Sequence, residues 1–454
     1  MSTYERELSP REHDEMRDLV LAGTQHIRPA GSHRAQFVAV GVSLILVGAV
    51  TGGVLTATLR DDGSPDPVAT PNPNPTATAE NGWIAYDTGW PKEEIFFIEP
   101  GLDPHVVIES DDISRGQVCP AFSSDGARLA SGQGGYGQQL PTDGALVISD
   151  LTAEGEVAAS EVIPIDGLRQ QPCPIWSPDG RWVAFGVGSV LNAHTNTDGV
   201  AEGVWVFNTE TDEIRRLKGL SVTDIEWAAD SSQLYIADAD GILVYSIADD
   251  QTRRLDDSDG ATALAASPDG RSLAVERKRS TSTVIPEQFD LLLMSVDGAD
   301  RRVLVEDYAH DRGIGPVWSP DGNRIVFQGG ADVPTIVQGG ETYNMGQNDE
   351  VVIVVVGEND PLGPIGTQTV LAPVRTTEGD VTREWLPATV SWAPDSTSLR
   401  FVGWELLTWE TDPRTALLAV PIDGTAAPTL LWEGRDPGPV TSPPRNDFQS
   451  WSRR

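Results

Sequence analysis

Residues 315–329, GPVWSPDGNRIVFQG, contain the pattern that decides the fold. A short apolar strand ends in Trp318, a Ser-Pro-Asp-Gly turn follows, and residues 324–327 form a second apolar strand. Proline sets the first turn dihedral, aspartate bonds its own backbone, and glycine takes the left-handed conformation that closes a hairpin. The stretch therefore predicts a β-hairpin with an aromatic ring just before the turn.

This pattern recurs along the chain. The other copies are CPAFSSDGARLASG from residue 119, CPIWSPDGRWVAFG from 173, IEWAADSSQLYIAD from 225, ALAASPDGRSLAVE from 263 and TVSWAPDSTSLRFVG from 389. The aromatic position is occupied by Phe122, Trp176, Trp227, Ala266, Trp318 and Trp392, at separations of 54, 51, 39, 52 and 74 residues. A unit that repeats near this length, with several strands in each copy, is typical of a β-propeller.

Each copy is followed by two more strands joined by a polar turn, as in VWVFNTETDEIRRL from Val204, so the unit has the four strands of a propeller blade. The region opens at Gly82 with GWIAYD, which matches a second strand that has no first strand before it. The missing first strand matches residues 447–452, DFQSWS, at the other end. The sequence thus predicts an all-β, seven-bladed propeller closed by its C-terminal strand. Six blades is the alternative, if the copy around Trp227 is not a full blade.

These copies resemble the TolB-like, WD-repeat-like propeller repeats, whose hallmark is the Trp-Ser-Pro-Asp-Gly turn. The resemblance covers about residues 82–454 and is strongest at residues 176–180 and 318–322. It implies a propeller fold and a location in the cell envelope. TolB's own role is not implied, because the N-terminal α/β domain of TolB has no counterpart here.

The charge of the chain and the motifs it lacks restrict which molecules it is expected to bind. The net charge is −36, and residues 1–34 contribute only −1 from six acidic and five basic side chains. So acidic a domain repels phosphate backbones, which makes nucleic acid an unsuitable partner. The chain has no HExxH, CxxC, Walker loop or GxGxxG after a strand, and no cofactor or metal is predicted.

Residues 36–59, QFVAVGVSLILVGAVTGGVLTATL, carry no charge and are mostly apolar. Twenty-four residues of helix are roughly 36 Å long, enough to span a bilayer core of about 30 Å. Arginines on the N-terminal side favour a cytoplasmic N-terminus and an exported C-terminal domain. We therefore expect a single-pass protein of the bacterial cell membrane, with a cleaved signal peptide as the alternative.

The segments around this helix complete the predicted organisation. Residues 1–35 form a cytoplasmic leader, in which Ser9 to Glu12 read as a capping box that starts a short helix. Residues 60–81, rich in Pro, Thr and Asn, form an extended linker to the propeller at 82–454. Gly48 and Gly52 form a GxxxG pair, through which two anchors can approach and dimerise.

Strand order places the Ser-Pro-Asp-Gly turns on one rim of the propeller, the turn rim. Long, irregular links between the second and third strands lie on the opposite rim, the loop-rich rim, at residues 132–143, 187–203, 277–289, 329–350 and 404–414. Loops elaborated on a rigid scaffold are where binding residues concentrate. Aromatic side chains there can stack on a sugar or grip a peptide. The candidate ligand-binding residues are Trp90, Tyr136, His194, Tyr343, Trp404 and Trp409.

The repeated aspartates admit a metal-binding or acid–base interpretation, but their fixed turn position favours a structural role. They are Asp125, Asp179, Asp230, Asp269, Asp321 and Asp395. A second group on the loop-rich rim forms either solvated turns or a calcium site, although no full calcium-loop pattern follows it. It consists of Asp238, Asp240, Asp256, Asp257 and Asp259.

Cys119 and Cys173 occupy the same motif position in consecutive repeats. An exported domain keeps disulfides, but adjacent blades can lie beyond the Cα–Cα limit of about 7 Å for a bridge. The sequence leaves both outcomes open.

The leading hypothesis is a non-catalytic binding platform for an envelope protein, peptide or glycan. A propeller hydrolase or lyase at the loop-rich rim is the first alternative, but His105, His194 and His310 lie in unrelated repeats. The chain lacks the Gly-x-Ser-x-Gly elbow of propeller-bearing peptidases and is expected to end at the closing strand. A single-pass sensor that signals through the leader is the second alternative.

Overall fold

The structure is a computed structural model of the chain. It describes residues 81–87, 94–98, 105–109, 116–134, 144–165, 168, 172–187, 203–220, 222–238, 240–279, 287–310, 315–329, 335–338, 341–344, 351–358, 360–371, 374–378, 381–405, 414–423, 427–435 and 449–453. Within these ranges no helix is long and apolar enough to cross a membrane. The predicted leader helix, anchor, linker and GxxxG pair fall outside the described residues, apart from Asn81.

The described residues form seven blades, numbered in chain order. Blade 1 begins with β1 (Asn81–Asp87), β2 (Ile95–Ile98) and β3 (His105–Ile108). Blade 2 contains β4 (Gln117–Phe122), β5 (Arg128–Gln133), β6 (Ala145–Leu151) and β7 (Val157–Pro164). Blade 3 contains β8 (Ile175–Trp176), β9 (Trp182–Val187), β10 (Gly203–Asn208) and β11 (Ile214–Lys218). Blade 4 contains β12 (Val222–Trp227), β13 (Gln233–Asp238), β14 (Gly241–Ser246) and β15 (Gln251–Arg254).

The second half of the chain adds three blades and the closing strand. Blade 5 contains β16 (Ala261–Ala266), β17 (Ser272–Lys278), β18 (Glu287–Ser295) and β19 (Arg301–His310). Blade 6 contains β20 (Val317–Trp318), β21 (Arg324–Gln328), β24 (Val351–Val355) and β25 (Gln368–Val370), with the hairpin β22 (Thr335–Gln338) and β23 (Glu341–Asn344) inserted. Blade 7 contains β26 (Val374–Glu378), β27 (Val381–Trp392), β28 (Ser398–Glu405), β29 (Arg414–Pro421) and β30 (Thr429–Arg435). The last strand is β31 (Gln449–Arg453).

The C-terminal strand completes the first blade. β31 pairs antiparallel with β1, with Ile84 opposite Trp451 and Tyr86 opposite Gln449, so the strand order of blade 1 is β3-β2-β1-β31. The predicted closure and the count of seven are confirmed, and the six-bladed alternative is wrong because the copy around Trp227 forms a complete four-stranded sheet. Closure matters physically because it leaves no inner edge of blade 1 open for pairing with another chain.

The motif tryptophans of blades 3, 4, 6 and 7 each fasten their blade to the one before it. The indole Nε1 of Trp176 donates to the main-chain oxygen of Ala121 at 2.9 Å, and that of Trp318 donates to Ala265 at 3.0 Å. Trp227 and Trp392 repeat this bond, and in all four joints the acceptor is the residue that precedes the motif aromatic position of the previous blade. One side chain therefore both fills the space between blades and satisfies a carbonyl of the inner strand.

The hydrophobic core lies between neighbouring blades. One cluster joins Trp182 and Val206 of blade 3 to Trp227 and Ile236 of blade 4. Inner strands are apolar on both faces because each face meets a neighbour, as in β10 and β21, where every residue is buried.

Candidate binding site on the loop-rich rim

On the turn rim, each motif turn is closed by hydrogen bonds to its own aspartate. In blade 3 the Ser177 hydroxyl donates to Oδ1 of Asp179 at 2.6 Å, and the same oxygen accepts the Arg181 N–H at 3.1 Å. The equivalent contacts recur at Asp125, Asp269 and Asp321, while Asp230 and Asp395 accept from the residue two positions later. These carboxylates are occupied by their own turns.

The pKa values of two of these aspartates agree with that arrangement. Burial raises the pKa of Asp125 and Asp179, but the hydrogen bonds from the turn serines and backbone outweigh it, so both pKa values lie below the ordinary value. An acid held ionised in this way is poorly suited to donate or accept a proton near neutral pH.

The fourth turn residue adopts positive φ in every repeat. It is Gly126, Gly180, Gly270 or Gly322 in four repeats, with φ of 69–72°, and Ser231 (63°) or Ser396 (61°) in two. Both serine hydroxyls accept an N–H from the turn of the preceding blade, from Asp179 and Asp321 respectively, at 3.0 Å. The serines thus tie two turns together where glycine cannot.

The loop-rich rim is elaborated most in blades 6 and 7. The link between β21 and β24 folds into the β22–β23 hairpin, in which Ile336 lies opposite Tyr343. In blade 7, β27 continues past its blade partners to pair with β26, and Leu386 lies opposite Trp404 of β28. The sequence assigned Trp404 to a loop; it lies in a strand because the long β27 offers it a pairing partner.

The predicted rim residues are only partly covered by the structure. Tyr343 and Trp404 lie on strands of adjacent blades at the same rim, and only their backbones are described. The other four, Trp90, Tyr136, His194 and Trp409, fall outside the described residues.

Blade 5 contributes a charged network to this rim that sequence reasoning missed. The buried carboxylate of Asp290 contacts Arg277 at 3.0 Å and Arg279 at 3.4 Å, and Arg279 also reaches the exposed Asp307 at 3.5 Å. The signal was available in the sequence, since residues 276–279, ERKR, follow directly on the apolar residues of an inner strand. A buried aspartate here fixes the position of two partly exposed arginines.

A second missed feature is a set of buried acids on the inner strands of blades 4 and 5. Asp224 accepts N–H groups from Leu264 at 2.8 Å and from its neighbour Ile225 at 2.9 Å. Glu276 accepts the Tyr308 hydroxyl at 2.9 Å. Burial raises the pKa of Asp224, of Glu226 and of Tyr308 well above their ordinary values. The signal was an acid at alternate positions of the apolar strand VTDIEW.

One carboxylate of the second aspartate group on this rim is engaged within the protein. Asp238 is buried and receives both Nη atoms of Arg254, at 2.8 and 3.1 Å, together with the N–H of Asp240. The main-chain oxygen of Asp257 accepts from Arg301 at 2.7 Å. In the part of the chain that the structure describes, no three His, Cys, Asp or Glu side chains are grouped to hold a metal ion.

Blades 2 and 3 are linked covalently. Cys119 and Cys173 form a disulfide, with a Cα–Cα distance of 5.0 Å across a separation of 54 residues. The inner strands are close enough for the bridge at this motif position, where blade 4 carries Asp224 instead. Cys119 N–H in turn donates to Oδ2 of Asp87 at 2.9 Å, which joins blade 2 to blade 1.

Comparison with known proteins gives limited similarity. No family model matches the chain. The uncharacterized peptidase YuxL of Bacillus subtilis is 27% identical over 226 residues, which is 49% of this chain and 31% of YuxL. The chain therefore matches about a third of the length of that relative.

Solved structures with some similarity to this chain include a TolB protein and a WD40-repeat protein. TolB from Acinetobacter baumannii is 18% identical, with a TM-score of 0.39 over 60% of this chain and 61% of TolB. The WD40 repeats of RRP9 are 12% identical, with a TM-score of 0.45 over 74% of this chain and 85% of theirs. The predicted TolB-like repeat type is confirmed at the level of the fold. The seven closed blades of this chain carry that conclusion.

Proposed function

We propose that this protein is a membrane-anchored, extracytoplasmic propeller that binds an envelope protein, peptide or glycan through its loop-rich rim without transforming it. The observation that carries the proposal is the difference between the two rims. The links between the first and second strands of blades 2 to 7 are short turns whose aspartates are bonded within the turn. On the turn rim only a link between third and fourth strands, residues 356–367 of blade 6, is long among the described residues, whereas the other rim carries the hairpin β22–β23 and the extended β26–β27 pair. Extra strands added to one rim of a rigid ring are typical of a binding surface.

The anchor rests on sequence. Residues 36–59 are uncharged and long enough to span a bilayer as a helix. Residues 60–81 then act as a spacer, and the disulfide between Cys119 and Cys173 suits an oxidising compartment outside the cytoplasm. Protease accessibility in intact cells tests this: the propeller should be cleaved from outside while a tag on residues 1–35 stays protected.

The charged groups of the described rim support binding over catalysis. Asp238 and Asp290 are each paired with arginine, and Glu276 accepts the hydroxyl of Tyr308. A general acid or base needs a free site within reach of substrate, and these carboxylates are committed to partners within the protein. His105 lies on β3 of blade 1, against Phe97, on a different blade from all three.

One observation favours a hydrolase as the second candidate, namely the partial match to YuxL, which is named a peptidase. The chain has no Gly-x-Ser-x-Gly sequence, so peptide hydrolysis would need a different nucleophile. Incubation of the purified full chain with a mixed peptide library decides this. Cleavage above the level of a heat-inactivated sample would support the hydrolase.

A site-specific photo-crosslinker tests the binding proposal in cells. We expect a crosslinker at Tyr343 or Trp404 on the loop-rich rim to give covalent adducts with protein or cell-wall glycan, identified by mass. The matched control is Ala127, which is exposed on the turn rim. Equal adducts from Ala127, or none from either rim position, would contradict the proposal. Deletion of residues 1–35 distinguishes a tethered binder from a sensor. The crosslinked adducts should persist in both cases, and only a sensor should lose its signal to the cytoplasm.

A further inference from the structure

The joint between blades 4 and 5 is built differently from the four joints fastened by tryptophan. Blade 5 has Ala266 at the aromatic position, so no indole reaches back to blade 4. The residue whose carbonyl would accept such an indole is Glu226. Its side chain faces the main-chain N–H of Ala266 instead, which lowers the pKa of the carboxyl group. A buried carboxyl group therefore stands in place of the indole at this joint.

This carboxyl group is incompletely satisfied. Glu226 is 8% exposed, and its Oε2 has no hydrogen-bond partner in the described structure. Two positions away on the same strand, Asp224 accepts the Leu264 N–H across the same joint at 2.8 Å. Asp224 thus holds one N–H group of β16, Glu226 faces another, and the Glu226 Oε2 remains unpaired. An unpaired buried oxygen is costly when the group is ionised and much less so when the oxygen carries a proton.

The groups around Glu226 offer no compensating charge. On its own strand lies Asp224, β13 carries Tyr235 and Asp238, and β17 carries Glu276, Arg277 and Lys278. None of the cations is among the groups that shift the pKa of Glu226. Asp238 is paired with Arg254, and Arg277 is paired with Asp290. β16 contains no titratable side chain. Burial first, and then the charge of Asp224, raise the pKa of Glu226, while the bond from Ala266 lowers it less. Burial, with Glu276, raises the pKa of Asp224 in the same direction.

We propose that the joint between blades 4 and 5 is a proton-dependent latch, in which Glu226 is a neutral carboxylic acid when the blades are closed and loosens the joint when its proton passes to water. The folded chain then holds a proton that the unfolded chain releases at neutral pH. The stability that Glu226 contributes is therefore complete below the ordinary glutamate pKa near 4.3. It falls as pH rises towards the higher pKa of Glu226 in the folded chain. Opening exposes β16 amides at a joint that lacks an indole bond.

The test compares the denaturant unfolding of the full chain at pH 5–8.5 with that of Glu226→Gln. Glutamine keeps an acceptor for the Ala266 N–H but cannot ionise. We expect the unfolding equilibrium constant of the wild type to rise more steeply with pH than that of the variant, by up to about tenfold per pH unit for one proton. Glu154→Gln, at an exposed position, is the control and should follow the wild type. Equal pH slopes for all three chains would overturn the latch.

A second measurement needs no variant, in case Glu226→Gln does not fold. Unfolding of the wild-type chain in unbuffered denaturant at pH 7 should release about one proton or more per molecule. Amide exchange, corrected for its intrinsic pH dependence, should show protection at Leu264 and Ala266 falling between pH 5 and 8 while Ala121 stays protected. Absence of proton release, or equal protection at all three amides, would refute the proposal.

Discussion

The indole Nε1 of Trp392 donates to the main-chain oxygen of Val317, 3.0 Å away and 75 residues earlier in the chain. Trp318 makes the equivalent bond one blade earlier, to Ala265. The acceptor always precedes the aromatic position of the previous blade, so each tryptophan sets the height of its blade against the last. The motif therefore encodes both a hairpin and the registration between hairpins.

Replacing the indole donor of Trp392 should lower the stability of the protein without changing its fold. Trp392→Phe keeps an aromatic ring but leaves the buried oxygen of Val317 without its partner. We expect a loss of about 1–3 kcal/mol in the free energy of unfolding, measured by denaturant titration. Trp432→Phe, in the outermost strand of the same blade, is the comparison variant. A loss no larger than for Trp432→Phe would show that the indole bond contributes nothing.

The two serines at positive φ should respond differently to alanine and glycine. Ser231→Ala keeps the strained conformation and removes the bond from the Asp179 N–H, so we expect it to destabilise the protein by about 1–2 kcal/mol. Ser231→Gly loses the same bond but relieves the backbone, by about 1 kcal/mol, and should be nearly neutral. Thermal unfolding of the two variants checks this. Equal effects would mean that the backbone conformation is not the deciding factor.

The disulfide between blades 2 and 3 closes a loop of 54 residues. Loop-closure entropy predicts a stabilisation of about 4 kcal/mol for a loop of this length. Reductant should therefore lower the denaturant midpoint of the wild type and leave a Cys119→Ala/Cys173→Ala chain unchanged. If alkylation of the unreduced, denatured protein labelled two thiols, the bridge itself would be disproved.

The turn aspartates predict a loss of stability in acid. Because the folded pKa of Asp179 is lowered, its contribution is complete above the ordinary aspartate value near 3.9 and disappears as pH falls through the folded value. We expect Asp179→Asn to be less stable than the wild type at pH 6, and the difference to shrink as pH falls below the ordinary aspartate value. A difference that stayed constant over this range would assign the effect to packing instead. Protonation of Asp179 therefore lowers the stability of the folded chain, whereas protonation of Glu226 raises it.

Much of the fold could be predicted from the sequence because its signals are local and repeated. Turn chemistry places each hairpin, and the unmatched strand at Gly82 together with the unmatched Trp451 predicted how the ring closes. The copy around Trp227 looked degenerate because it lacks the proline and glycine. The structure explains the missing glycine, since Ser231 takes positive φ and adds a bond of its own.

What the sequence did not predict depends on contacts between blades or between strands. That Glu226 fills the place of a missing indole follows only once blades 4 and 5 are side by side. The Asp290 network lies within blade 5 and depends on strand register, because the pairing of β17 with β18 places Arg277 opposite Asp290. The fifth strand of blade 7 was missed because residues 374–378 lie in a long spacing between two motifs, where no periodic pattern marks a strand.

The most direct test of the seven-bladed ring is removal of its closing strand. Deletion of residues 447–454 from the full chain should lower the melting temperature by more than ~5 °C, with loss of amide protection in Asn81–Asp87, since several kcal/mol of pairing and packing are removed. Deletion of Arg454 alone, outside the paired register, should have neither effect. If the longer deletion left both the melting temperature and the protection of β1 unchanged, the ring would not be closed by this strand.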